Sequence, residues 1–246
     1  MKKLFVLLLC LGATGCATAP PPPQAEPYVA NFDYAPQTQE PTGSSGVTFA
    51  VGNTGYKTND KKMLWFTYPQ FGNLNSGLKQ DLPEILIAKG FSVRGPFDSY
   101  DLIPYSDKKA IDLFLIPTVE LLITFKDTKQ EVENIFAAPP VDILTGNVEV
   151  NGKIILELRE IVTRELMWSK NIPFTKFEFP YRVRHSAYYD KPGQPFDLKP
   201  LVMNEVAQKI EEQYPGLMAT LAQLIDPEEM RIIKEQAQKL KNQKGY

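Results

Sequence analysis

Alternation of apolar and polar residues predicts that the middle of the chain forms long strands. In the first such segment, the apolar residues of one parity are Leu113, Leu115, Val119, Leu121, Ile123 and Phe125. In the second segment they are Val148, Val150, Ile154, Leu156 and Leu158. A hairpin at Asn151-Gly152 would pair Val150 with Lys153 on one face, so the unbroken alternation favours one long strand that runs through Gly152.

Residues that interrupt the alternation indicate where these strands turn or end. Pro117 indicates a bulge or a sheet edge in the first long strand, and residues 126–143 are predicted to form a connection. A turn at residues 163–165 precedes a returning strand that starts at Leu166. Residues 177–183 alternate again, which predicts another half-buried strand.

Apolar residues at helical spacing predict three helices. Residues 73–89 form the first helix, which Gly90 ends, and residues 199–224 form the second. The Asp226-Pro227 pair is typical of a helix start, with a capping carboxylate followed by proline at the first helical position, and it begins the third helix.

Short strands flank the first helix, at residues 47–51 before it and at residues 91–93 after it. Residues 28–34 alternate weakly and predict an edge strand. The order of elements favours an α/β (α+β) fold, in which helices cover a mostly antiparallel mixed sheet and two helices end the chain.

The beginning of the chain has the pattern of a bacterial lipoprotein signal. Lys2 and Lys3 precede an apolar run that is too short for a permanent membrane span, and small residues at 13–15 lead to Cys16. This pattern predicts export, cleavage before Cys16 and acylation of Cys16, which attaches the chain to a membrane. The alternative is an ordinary cleaved signal with a chance cysteine. Ala17, where an Asp would indicate inner-membrane retention, favours the cell outer membrane.

The predicted organisation therefore has three parts. Residues 1–15 are the lipoprotein signal peptide, residues 16–45 are a lipid-anchored, Pro-rich tether with an N-terminal extension, and residues 46–246 are a single α/β domain. The four prolines at residues 20–23 favour polyproline II, so residues 17–27 would span roughly 34 Å at about 3.1 Å per residue.

Composition and motifs exclude several classes of function. The net charge of −2 shows no basic excess, so no nucleic-acid partner is expected. Cys10 would be lost with the signal and Cys16 acylated, which leaves no thiol for a disulfide. His185 is the only histidine, and the chain has no glycine-flanked nucleophilic serine, no His or Cys cluster and no glycine-rich phosphate loop. We therefore expect no enzyme activity, no cofactor and no metal.

Scattered carboxylates leave one catalytic alternative open. The candidates for a pair that could cleave a glycoside are Glu120, Asp127, Glu131 and Glu133. Their interpretation as solvated charges on a strand and a loop is favoured.

The best cluster for ligand binding lies near the end of the last predicted strand. It consists of Arg182, Arg184, His185, Tyr188 and Tyr189. Aromatic faces stack on sugar rings, and arginine pairs with carboxylates such as that of sialic acid. An ordinary strand end followed by a surface loop is the favoured alternative.

Three stretches carry a resemblance to a known family. They are residues 237–242 (AQKLKN), the helix-to-strand step at residues 84–91, and residues 31–34 (NFDY) with Pro36. With the lipoprotein signal and the element order, the chain resembles the neuraminyllactose-binding haemagglutinin (HpaA-like) lipoproteins from about Tyr28 to its end. The resemblance implies an outer-membrane lipoprotein of the Gram-negative envelope, in some cases surface exposed or on a flagellar sheath, that acts as an adhesin for sialylated glycans of a host.

The same resemblance points to a second group of binding residues. The family's proposed sialic-acid stretch is strongly basic and follows the central strand, which corresponds here to residues 126–130 with Lys126 and Lys129. This chain has fewer basic residues there and carries Asp127 within the stretch. The element order also resembles envelope lipoproteins that face the periplasm and dock on an assembly or peptidoglycan-synthesis machine, so an envelope protein partner is the alternative to a glycan.

Overall fold

The computed structural model describes residues 28–37, 39–58, 64–132, 141–186 and 199–244. Its strands are β1 (Thr48–Gly52), β2 (Gly55–Lys57), β3 (Ser92–Phe97), β4 (Leu113–Val132), β5 (Val141–Glu160), β6 (Leu166–Pro173) and β7 (Phe177–Ser186). Its α-helices are α1 (Leu74–Ala88), α2 (Tyr105–Ala110), α3 (Lys199–Leu224) and α4 (Pro227–Gln243). Short 3-10 helices occur at Trp65–Thr67, Pro69–Phe71 and Tyr100–Leu102.

The seven strands form one mixed sheet in the order β3-β1-β4-β5-β6. β1 is parallel to both β3 and β4, and β2 adds a second parallel segment to β4. The long pairs are antiparallel: β4 with β5, and β5 with β6 and β7. β6 pairs with residues 153–159 of β5 and β7 pairs with residues 141–150, so these two strands lie in succession along the same edge. The predicted α+β class with a mixed sheet and two C-terminal helices is confirmed.

The single strand predicted through Gly152 is confirmed, because β5 is continuous from Val141 to Glu160. A side chain at position 152 would overlap the carbonyl oxygen of Glu120 on β4 and would approach Phe174, whose backbone N–H donates to the Gly152 carbonyl. Glycine at this position lets the chain pass from β6 to β7 close to the β5 backbone.

Two sequence predictions about the long strands are wrong. β4 continues to Val132 and β5 already begins at Val141, so both ends of the connection predicted over 126–143 are strand. The residues from Asp127 to Val132 are all exposed, and strands without a buried face show no alternation in the sequence. Pro117 also lies inside β4 in unbroken register with Leu156, at the point where the parallel partner changes from β1 to β2.

Residues 28–34 do not form the predicted edge strand. They have no regular secondary structure, pack along α1 and bury Ala30 and Phe32. A Cβ on Gly77 would overlap the Phe32 carbonyl, so the glycine in α1 allows this close approach. The segment belongs to the helical layer and not to the sheet.

The main core lies between one face of the sheet and α1, α3 and α4. It includes the predicted apolar parity of β4 and β5 together with the buried stripes of the three helices. The Asp226 carboxylate accepts the Glu229 N–H at 3.0 Å, which confirms the predicted start of the last helix. Gly90 has φ +79°, and the next residue donates its N–H to Leu86, as expected where a helix ends.

The other face of the sheet carries a smaller apolar cluster. The cluster contains Ala50, Ile103, Ile111, Phe114 and Ile161, and the segment between β3 and β4 covers it. None of the helices described is both long enough and apolar enough to cross a bilayer.

Candidate functional site

Three strands form an arm at one end of the sheet. We define the β-arm as Thr124–Val132 of β4, residues 141–150 of β5, and β7. Backbone register places Lys129, Thr145 and Arg182 in one row across the three strands. Lys126 pairs with Asn147, two residues beyond Thr145 on β5.

A β-bulge determines which face of the arm Lys129 occupies. Lys126 pairs with Asn147 and Lys129 pairs with Thr145, so β4 advances three residues while β5 advances two. The extra residue restores Lys129 to the face that Lys126 occupies, whereas plain alternation would put these residues on opposite faces. Asp127 has φ 52°, in the left-handed region that Asp tolerates better than most residues.

Contacts beneath the bulge fix its shape. The Thr128 hydroxyl lies 2.8 Å from the Tyr181 hydroxyl, and the ring of Tyr181 packs edge-on against Phe125 with centroids 5.9 Å apart. A Cβ on Gly146 would lie 2.7 Å from the Tyr181 hydroxyl and 2.8 Å from the Lys126 carbonyl. The glycine therefore makes room for the tyrosine, and the tyrosine holds the bulge.

Lys126 is already neutralised by a carboxylate of the arm. Its ammonium forms an ion pair with Glu149, and Lys176 contacts the same carboxylate at 2.6 Å. The hydrogen bond to Glu149 raises the pKa of Lys126, and Lys126 and then Lys176 lower the pKa of Glu149. This lysine, which the sequence placed among the ligand-binding residues, has its charge satisfied within the fold.

Lys129 and Arg182, unlike Lys126, have no carboxylate partner within the described residues. Both side chains are exposed, and neither joins an ion pair with any other residue that the structure describes. They lie on either side of Thr145, and two strand spacings separate them by about 10 Å. Within the described residues, the arm thus presents on one face two cations that join no ion pair.

Arg184, another of the predicted site residues, also lies in the arm. The backbone of Arg184 pairs with Ile143, which in turn pairs with Glu131 of β4, so Arg184 lies two rows beyond Arg182. Tyr188, Tyr189 and Cys16 lie outside the described residues. Two groups that are distant in sequence, around Lys129 and around Arg182, therefore come together in one arm.

The predicted catalytic carboxylates do not form a pair. Glu120, Asp127 and Glu131 follow one another along β4, and at about 3.3 Å per residue, with the bulge taken into account, their positions are about 10 Å or more apart. Glycoside cleavage requires carboxyl groups roughly 5–9.5 Å apart. Glu120 is also paired with Lys153, at 4.0 Å, and Glu133 lies outside the described residues.

A recess adjoins the arm at its junction with the helical layer. It has a volume of about 350 Å³ and lies between β7 and α3, with Phe179, Arg182, Val202 and Glu205 in its lining. Within the described part of the chain, no three His, Cys, Asp or Glu side chains are grouped to hold a metal ion. The arrangement offers charge and an apolar surface for binding.

Sequence reasoning missed the bulge that organises this site. Two signals were present: an Asp at the position that adopts a positive φ, and a glycine on the partner strand opposite an aromatic residue. Neither signal is specific on its own, because Asp is common on strand surfaces and in turns.

No family model matches this chain, and no curated protein matches it. Among solved structures, the chain is similar to a candidate neuraminyllactose-binding haemagglutinin homologue from Helicobacter pylori. The TM-score is 0.54 at 16% identity, over 83% of this chain and 98% of the other. At this level of identity the two proteins share a fold.

Other solved structures are similar at lower scores. A protein from Xanthomonas campestris has a TM-score of 0.33 at 11% identity, over 79% of this chain and 91% of the other. A lipoprotein from Neisseria meningitidis has a TM-score of 0.23 at 11% identity, over 68% of this chain and 99% of the other. The fold of the chain is thus that of the Helicobacter pylori structure.

Proposed function

We propose that this chain is a non-enzymatic lipoprotein, anchored in the outer membrane through Cys16, that binds sialylated glycans with its β-arm. The observation that carries the proposal is the pair of uncompensated cations Lys129 and Arg182 on either side of Thr145. A carboxylate between them would accept charge-assisted hydrogen bonds from both.

Two further observations support the proposal. The lipoprotein signal before Cys16 would put the domain in the cell envelope, and the polyproline tether would hold it away from the lipid. The structural relative from Helicobacter pylori is itself described as a candidate neuraminyllactose-binding haemagglutinin homologue, which makes sialylated sugars the first ligand class to test.

A glycan array with the purified processed chain tests the ligand. We expect signals on sialylated glycans that exceed those on the matching asialo-glycans. A variant with Lys129→Ala and Arg182→Ala should lose about tenfold or more in affinity, since it loses two charge-assisted hydrogen bonds. The matched control is Lys176→Ala, because Lys176 is exposed directly before β7 but is paired with Glu149 of the arm. Equal signals on sialylated and asialo-glycans would remove the adhesin proposal.

A second candidate function follows from the edge of the arm. In the part of the chain that the structure describes, β7 pairs only with β5, so its outer backbone groups are available for strand addition by an envelope protein. Protease shaving of intact cells separates the two candidates. Cleavage of the domain on whole cells supports the adhesin, and protection until the outer membrane is opened supports a periplasm-facing accessory lipoprotein.

A further inference from the structure

The segment between β3 and β4 exposes two large apolar side chains. Leu102 is 66% exposed and Tyr105 is 69% exposed, the highest values among the large apolar side chains described. They lie at the end of a 3-10 helix and at the start of α2. They cover no core of their own, so their exposure needs another explanation.

Contacts with the sheet and with Arg164 fix the position of this segment. Ile103 and Ile111 are buried against the sheet. The ring of Tyr100 lies between the Arg164 guanidinium, at 3.8 Å, and the Lys108 ammonium, at 4.0 Å, and its hydroxyl donates to the Ile161 carbonyl. The two exposed side chains are therefore presented by a fixed support.

The carboxylates of this segment are all neutralised by cations from other elements. The pairs are Asp98 with Lys79, Asp101 with Arg164, Asp107 with Arg94, and Asp112 with Lys234. The segment's own lysines, Lys108 and Lys109, join no ion pair with any residue in the described ranges; they lie over the rings of Tyr100 and Tyr105. The local surface thus has a surplus of two positive charges beside two exposed apolar side chains.

We propose that this surface, which we call the 102–109 patch (Leu102, Tyr105, Lys108 and Lys109), rests on anionic phospholipid headgroups of the membrane that carries the anchor. The aliphatic side chain enters the interface, the tyrosine lies with its hydroxyl toward water, and the lysines contact lipid phosphates. The proposal rests on the lipid anchor of the proposed function and is independent of glycan binding.

A patch of this size suits a chain that is already tethered. Two lysines and two apolar side chains bind a bilayer only weakly when the protein is free in solution. A tether of roughly 34 Å keeps the membrane surface at a high effective concentration, so that a weak contact is enough to set the orientation of the domain. The lipid would attach the chain to the membrane, and the patch would set the orientation of the domain.

Site-directed fluorescence on the lipidated full-length chain tests the patch. Ser106→Cys places a thiol-attached fluorophore on exposed α2 without removing any patch residue, and Ser76→Cys on exposed α1 is the matched control. In vesicles of phosphatidylglycerol and phosphatidylcholine that contain headgroup-proximal nitroxide lipids, we expect quenching of the Ser106→Cys label and weaker quenching of the Ser76→Cys label. Lys108→Gln with Lys109→Gln should lower the population resting on the membrane by roughly thirtyfold.

The outcomes separate the patch from the anchor. Equal quenching at the two sites, in a chain that floats with the vesicles, overturns the patch and leaves the anchor intact. A chain that does not float overturns both. Quenching that is unchanged in phosphatidylcholine alone overturns the assignment to anionic headgroups, and a cross-link from position 106 to a protein in intact cells, without quenching in vesicles, assigns the patch to a protein partner instead.

Discussion

The Tyr214 hydroxyl of α3 donates a hydrogen bond of 2.7 Å to the Asp81 carboxylate of α1, and both side chains are buried. Tyr214 also packs edge-on against Phe32, so one contact joins α1, α3 and the N-terminal segment. Burial raises the pKa of Asp81 to about 6, which the hydrogen bonds from Tyr214 and from the Tyr34 backbone only partly offset; the nearby Asp33 and Glu84 raise it further.

The Asp81 carboxyl should make the folded chain less stable as pH rises. Its folded pKa of about 6 is above the unfolded value of 3.8, so its stabilisation is complete below about pH 4 and is lost as pH rises through about 6. We therefore compare the free energy of unfolding of Asp81→Asn with that of the native chain at two pH values. The difference, variant minus native, should be roughly 1–3 kcal/mol more positive at pH 7.5 than at pH 4.5. Urea unfolding at the two pH values measures this difference.

The exposed residue Asp98 provides the control for that experiment. Hydrogen bonds from Asn53 and Lys79 lower its pKa, so it stays ionised at both pH values and Asp98→Asn should not change the difference. If Asp81→Asn leaves the pH dependence of the free energy of unfolding unchanged, burial does not raise the pKa of Asp81 as described.

Two glycines should respond in opposite ways to alanine. In Gly152→Ala the new methyl group overlaps the Glu120 carbonyl and lies 2.8 Å from Leu121, so the long strands must shift and the chain should lose roughly 1–3 kcal/mol of stability. Gly216→Ala lies in α3 with open space around it and should stabilise by up to about 1 kcal/mol, because alanine favours the helix. Denaturant midpoints of the two variants should move in opposite directions.

The bulge at Asp127 should affect glycan binding through the position of Lys129. Asp127→Gly keeps the left-handed conformation and should preserve both stability and glycan binding. Asp127→Val disfavours the left-handed conformation; with the bulge lost, plain alternation turns Lys129 to the other face of the arm, so affinity for a sialylated glycan should fall about as far as in Lys129→Ala. Circular dichroism verifies that each variant is folded. Full binding by Asp127→Val would show that the bulge does not determine the position of Lys129.

Lys241 of α4 should contribute far more to stability than its neighbour Lys244. Lys241 reaches the fully buried Glu160 at 3.1 Å, and the other oxygen of that carboxylate accepts the N–H groups of Val162 and Thr163. Lys241→Met leaves a buried charge without its counter-ion and should cost roughly 3 kcal/mol. Lys244→Met breaks only a more exposed pair and should cost about 1 kcal/mol or less. Similar losses in thermal unfolding would contradict this difference.

Hydrophobic alternation was sufficient to predict the covered part of the sheet and insufficient for the arm. Val150, Ile154 and Leu156 are all buried under helices, so their parity located β5 and excluded a hairpin at Gly152. From Lys129 to Val132 the backbone pairs with β5 but every side chain is exposed, so the sequence shows no alternation there.

The candidate site was only partly predictable for a related reason. Lys129 and Arg182 are more than fifty positions apart, and only the register of β4 and β7 on β5 places them in one row. Lys126 has the same residue type as Lys129, yet Glu149 neutralises it, which depends on a cross-strand neighbour that the local sequence does not identify.

The Lys234 ammonium on α4 donates to the Gly46 carbonyl at 2.7 Å and thereby connects residues 188 positions apart. This contact closes the last described helix over the approach to the first strand, and such long-range contacts raise the contact order of the native fold. A nascent chain cannot make the contact until its final helix has been synthesised. We therefore expect folding that is completed only after α4 has been synthesised, and a chain exported as proposed would still be open while it is moved across the membrane.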